Sequence, residues 1–228
     1  MGIPRAQIIT EASASGAQVI DGSLVMASTD GATQPYLTRT NTSTGNRRTW
    51  TFSGWVKRTR FDNAEDAQII NCANSTIQNS GIVIASVGSY GADYSAALRF
   101  TSYNCGNNMD LWGAGSHRDP SGWIHIVQAY DSTQATDTNR VKMYIDGEYI
   151  TDWLTAQTSG RWPSQNAEGP FCYAGSPGCY IGTYYWSTSV STWKGAFYAS
   201  QFYLVDGQAL DASYFGFTDP LTGVWRPK

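Results

Sequence analysis

Residues 49–58 read Thr49-Trp50-Thr51-Phe52-Ser53-Gly54-Trp55-Val56-Lys57-Arg58. Successive residues of a strand point to opposite faces, so this run sets Trp50, Phe52, Gly54 and Val56 on one side and Thr51, Ser53, Trp55 and Lys57 on the other. One of those sides is core. In Trp123–Tyr130 the two sides are both partly apolar, with Ile124, Ile126 and Tyr130 opposite Trp123, His125 and Val127. This strand is therefore expected to be central and covered on both faces. Residues Arg140–Ile145 alternate Val141, Met143 and Ile145 with Lys142 and Tyr144, and Asp146-Gly147 follows as a two-residue type I′ turn into Glu148–Asp152.

Working outward, short alternating segments separated by Gly, Asn, Asp, Ser and Pro clusters continue from Asp21 to the end, the pattern of an all-β sandwich. Further strands are expected at Leu24–Ala27, Tyr36–Thr40, Ala67–Cys72, Ile82–Val87, Ala96–Ser102, Met109–Trp112, Cys179–Thr183 and Gly195–Val205. One helical turn is expected after the N-cap Asp211. The composition agrees: 14% of the 228 residues are aromatic, 14% are charged and 23 are Gly, which favours strands and turns over helices. Residues 1–20 are rich in Ala, Ser and Gln without a sustained period and read as an extended arm, leaving residues 21–228 as one sandwich of two antiparallel sheets. A net charge of −3 offers no field for a phosphate backbone, so nucleic acid is not an expected partner. No apolar run approaches the roughly 20 residues that span a bilayer, and the first residues lack a secretory pattern, so no membrane insertion and synthesis in a cytoplasm are expected.

The sequence offers little catalytic chemistry. His117 sits in a loop sequence and His125 in mid-strand, without a metal-ligand spacing, and a hydrogen-bonded structural role is the better reading for His125. There is no Gly-x-Ser-x-Gly elbow, phosphate-binding glycine loop or His-Glu-x-x-His. Glu11, Glu65, Glu148 and Glu168 lie far apart, so a glycosidase pair is not visible and no enzymatic activity is expected.

Two binding constellations remain. Asp62, Asn63, Glu65 and Asp66 carry enough oxygen ligands for Ca²⁺ if the loop curls round the ion; the alternative is a solvated turn, and no cofactor is required. The long segment 154–178 has no period and reads as a loop or lid. Its aromatics and those just after it, Trp162, Tyr173, Tyr185 and Trp186, are candidates for stacking on sugar rings or for an intersubunit contact. Cys172 and Cys179 bracket a turn-rich segment that could close a local disulfide; the alternative is two buried thiols.

Taken together, Asp21-Gly22-Ser23-Leu24, Tyr36–Thr40, the run Gly45–Arg58, Trp123–Asp131, Asn139–Gly147 and Tyr180-Ile181-Gly182 resemble the concanavalin A-like, laminin G-like jelly-roll domains. The ending Phe202–Gly216 and Gly223–Lys228 is similar to the version found in structural proteins of marine and cyanobacterial bacteriophages. That resemblance implies a virion protein on the particle exterior, made in the host cytoplasm, as a capsid decoration protein or a compact appendage module. Its implied partners are other capsid or tail proteins, further copies of itself in a homo-oligomer and a cell-surface glycan. The alternative it leaves is a carbohydrate-binding lectin-like module or tail-fibre receptor-binding adhesin.

Overall fold

The computed structural model describes residues 22–26, 35–59, 66–74, 79–84, 96–105, 107–115, 117–154, 162–175, 177–186, 189–190 and 196–228. The arm expected at residues 1–20 lies outside that set. The described residues form sixteen strands and two 3₁₀ turns, at Asp137–Asn139 and Ala212–Tyr214. In chain order the strands are β1 (Leu24–Met26), β2 (Leu37–Arg39), β3 (Thr49–Arg58), β4 (Ala67–Asn74), β5 (Asn79–Ile84), β6 (Leu98–Cys105), β7 (Asn107–Trp112) and β8 (Ile124–Asp131). There follow β9 (Val141–Ile145), β10 (Glu148–Tyr149), β11 (Pro177–Ile181), β12 (Tyr185–Trp186), β13 (Ser189–Val190), β14 (Phe197–Asp206), β15 (Gly216–Thr218) and β16 (Trp225–Pro227).

Two six-stranded antiparallel sheets make the sandwich. The first runs β1-β14-β3-β8-β9-β10 and the second β2-β11-β4-β5-β6-β7, so the chain repeatedly crosses from one sheet to the other in the manner of a jelly roll. The hairpin turn at Asp146-Gly147 has φ of 48° and 85°, the left-handed pair that a type I′ turn requires. Asp211 caps its 3₁₀ turn by accepting the Ser213 N–H at 2.8 Å.

The inner faces meet where the alternation places them. Trp50, Phe52 and Val56 of β3, Ile126 and Tyr130 of β8, and Val141 and Met143 of β9 are buried together with Ile69, Ile82, Leu98, Phe100 and Leu111 of the second sheet. Ile124 and Ile145 pack against this cluster from its edge. At its centre the Trp50 ring lies between Tyr130, 5.2 Å away and nearly parallel, and Phe171, at 4.1 Å. Phe171 comes from the long segment before β11, which is therefore no detached lid. Its Ala167 carbonyl accepts from Tyr130 and Ser132, and Arg47 reaches the Gly169 carbonyl at 2.7 Å.

The reverse face of the first sheet is buried as well. Thr51 and Ser53 of β3 and His125 and Val127 of β8 are at most 1% exposed, although they point away from the core. The last twenty-odd residues cover them. Thr51 Oγ1 donates to the Gln208 carbonyl at 2.7 Å and accepts the Leu210 N–H at 2.8 Å, and the β15–β16 hairpin lays Trp225 over His125. Gly147 makes room for that ring, since a Cβ there would stand 2.4 Å from Trp225. Because both faces of β8 are dry, Ile126→Ala should cost about 2–5 kcal/mol. Val127→Asp, on the opposite face, should destabilise as well; a urea midpoint unchanged by Val127→Asp would mean the outer face is wet.

Candidate functional site

His125 is the polar centre of the covered face. Its Nε2 is 2.8 Å from Ser53 Oγ, and Trp225 Nε1 donates to Nδ1 at 3.0 Å. An indole N–H can only donate, so Nδ1 is the acceptor and Nε2 carries the proton that is given to Ser53. A serine–histidine pair that activates a nucleophile needs the reverse polarity, with a free Nε2 to accept the hydroxyl proton. This pair is therefore wired as structure, as the mid-strand position of His125 led one to expect. Burial holds the imidazole neutral, lowering its pKa to about 4.

Beside this centre lies a groove of about 440 Å³ lined by Trp55, Trp123, Trp225, Arg226, Val224, Pro227 and the Gly22-Ser23 backbone. Three elements deliver its indoles. Trp55 is at an outward position of β3, Trp123 immediately precedes β8, and Trp225 belongs to β16. The registers explain the meeting: Trp55 pairs with His125 and stacks on it at 4.8 Å, while Trp123 is two residues before His125 on the same face and 6.4 Å from the Tyr198 ring. Trp225 is held over His125 as described. Arg226 is paired with Asp219 at 2.8 Å.

A second, larger cleft of about 770 Å³ opens between β2 and the carboxyl-terminal half of β14. Leu37, Phe52, Ile70, Ile181, Phe202 and Leu204 form its apolar part, and Arg39, Thr40–Ser43 and Asp206 its polar rim. It exists because β1 pairs with β14 only as far as Ala199, and a bulge between Ser200 and Tyr203 turns the strand beyond that point.

Of the four aromatics singled out from sequence, the three with described side chains each pack in a different place. Trp162 packs edge-on against Trp153 at 5.2 Å and joins the core margin. Tyr173 lies under the Arg47 guanidinium at 5.1 Å. Tyr185 stacks on Tyr180 at 5.2 Å, with Tyr36 beyond it at 5.8 Å. Trp186 follows in β12, its side chain outside the described residues. The tryptophans of the groove, Trp55, Trp123 and Trp225, were not among the candidates.

Of the Ca²⁺ candidates, Asp62, Asn63 and Glu65 lie outside the described residues. Asp66 is buried with its carboxylate 3.7 Å from Arg99, which also binds Asp110 at 2.7 Å and lies over Trp112. Among the described residues no three His, Cys, Asp or Glu side chains form a metal-binding group.

The disulfide differs from the local Cys172–Cys179 pair: Cys179 is bonded to Cys72. Cys72 of β4 and Cys179 of β11 are directly opposed across neighbouring strands, whereas Cys172 sits in the preceding loop. Cys172 is a buried free thiol with φ of 61°. Burial and the nearby Asp206 carboxylate push its pKa up to about 12.

No protein-family model matches the chain, and no curated protein is similar to it at a significant level. Solved structures that superpose on it include a native heptameric SAP-like pentraxin from Limulus polyphemus, 16% identical over 75% of this chain and 69% of that one, with a TM-score of 0.45. A Bacteroides ovatus protein described as a carbohydrate binder is 14% identical over 74% of this chain and 40% of its own, with a TM-score of 0.49. Mouse laminin α1 domains LG4-5 are 12% identical over 86% and 46%, with a TM-score of 0.48. The chain thus spans less than half of the latter two. The described residues include no helix long and apolar enough to cross a membrane.

Two outcomes follow from the titrating groups. Below the ordinary histidine pKa of 6.5 an unfolded chain takes up a proton that folded His125 refuses, so stability is full above that pH and is lost as pH falls toward 4, by about 3 kcal/mol in all. Urea midpoints of the wild type should fall over this window more steeply than those of His125→Gln. Cys172, with so little thiolate at neutral pH, should resist iodoacetamide in the native protein and react in urea; peptide mass mapping showing rapid native alkylation would contradict this placement.

Proposed function

We propose that the protein is a non-catalytic carbohydrate-binding jelly-roll module whose glycan lies in the Trp55–Trp123–Trp225 groove. The observation that carries the reading is the convergence of three indoles on one open groove. A pyranose has an apolar C–H face and a polar hydroxyl edge, and indole faces suit the first while leaving the second to water and to rim groups. Arg226 and the Gly22-Ser23 backbone supply that rim. The neighbouring His125–Ser53 pair adds no chemistry to a bound sugar, because its proton points from histidine to serine.

The sequence resemblance to exterior bacteriophage proteins adds a setting for this module, namely a particle surface on which many copies face a host glycan. Weak single-site binding is then useful, since repeated sites raise avidity without new contacts. In that setting contacts with other virion proteins, and between copies of this chain, would orient the groove outward.

A glycan microarray with the intact protein identifies the sugar, and calorimetry with the best hit measures it. Trp123→Ala, at a half-buried position, should keep the fold and weaken that binding at least about tenfold, the equivalent of about 1.4 kcal/mol. An array without a hit, or a Trp123→Ala variant that binds like the wild type, would remove the groove from consideration.

A further inference from the structure

The larger cleft is a different chemical environment from the tryptophan groove. Its walls are residues that the strand register assigns to the inside of the sandwich. Leu37 is opposite Ile181, and Leu204 is opposite Phe52, yet Leu37 is 48% and Leu204 38% exposed. The cleft reaches inward to Phe52 and Ile70, which are nearly inaccessible. A saccharide placed there would bury hydroxyls against Ile70, Ile181, Phe202 and Leu204, none of which can pair with them, at a high desolvation cost. An aliphatic chain has no such groups.

The mouth carries a charge. Arg39 projects from the core-facing side of β2 and, among the described residues, makes no ion pair or side-chain hydrogen bond. Asp206, the acid on the same rim, is already engaged: it accepts the Asn46 N–H at 2.6 Å and lies against Gly45, where even a Cβ would collide with it. Asp206 is therefore spoken for by the turn at residues 45–46, and Arg39 is the group left to meet a ligand. Thr40, Thr42 and Ser43 line the same rim. An apolar slot between the sheets, with a guanidinium at its entrance that has no partner among the described residues, matches a molecule with an apolar tail and one anionic oxygen pair, because guanidinium binds carboxylate with two parallel hydrogen bonds. A volume of about 770 Å³ is ample for such a ligand.

We propose that this cleft binds an aliphatic carboxylate, with its chain between the two sheets and its head group on Arg39. The site is independent of glycan recognition at the tryptophan groove.

The test is calorimetric titration of the full chain with dodecanoate, kept below its micelle concentration. Saturable one-to-one binding is expected. Arg39→Gln should weaken it at least tenfold, Leu204→Asn should weaken it as well, and dodecanol should bind wild type and Arg39→Gln alike. Both substituted residues are exposed, so the variants keep the fold. Trp123→Ala should leave dodecanoate binding unchanged while weakening glycan binding, which separates the two sites. Absence of saturable binding, an Arg39→Gln variant as tight as wild type, or loss of dodecanoate binding in Trp123→Ala would each overturn the proposal.

Discussion

The hydrogen bond from the Trp225 indole to Nδ1 of His125 holds the end of the chain against the first sheet, and much else depends on it. It fixes the histidine tautomer, and through Nε2 it satisfies Ser53 on the neighbouring strand. Without it, a buried ring nitrogen would be left without a donor, on a face that would otherwise have to be wet. With it, both faces of β3 and β8 are dry, and the strands can carry tryptophan on either side. The groove at Trp55 and Trp123 has a third wall only because the hairpin is pinned at this point.

The opposite margin of the sandwich is handled differently. Near β7 and β10 the sheets are closed by Trp153, which packs on Trp162 and bridges to Gly113, against which Ile150 also packs. At the β2 and β14 margin the pairing of β1 stops early, the bulge at residues 200–203 redirects the strand, and interior positions face solvent. Phe202 is accommodated at that bend by the missing side chain of Gly54, where a Cβ would stand 2.5 Å from its ring. The sandwich thus has one sealed margin and one open one, and the open one departs most from regular pairing.

Alternation carried most of the fold in the sequence. The inner positions of β3, β8 and β9 and the turn at Asp146-Gly147 were legible because period and turn chemistry are local properties. The covering of the outer face was half legible. Trp55 and Trp123 stand at outward positions of adjacent strands, and an outward tryptophan on two strands is a signal that something lies over them. What lies over them comes from residues 207–228, a contact made across about a hundred residues of chain, which no local pattern encodes. The same holds for the disulfide. Cys172 and Cys179 are close in sequence, but Cys179 meets Cys72 because β11 and β4 are neighbours in the sheet. Absence of periodicity likewise does not mean absence of burial: Phe171 and Trp162 of the long segment are drawn to the core by the hydrogen bonds of residues 166–169.

The bond between Cys72 and Cys179 also decides how the molecule would answer a pull on its two ends. Tension would first peel the short pairings nearest the two ends, β1 from β14 and β16 from β15, because three residue pairs join each. Once the strands part, the chain between the two cysteines, which are 107 positions apart in sequence, stays out of the load path for as long as the bond holds. At the reach of a fully extended chain this withholds about 360 Å of slack. The module would therefore lengthen much less under load than its residue count suggests, and the strands β5 to β10 would remain shielded from the force.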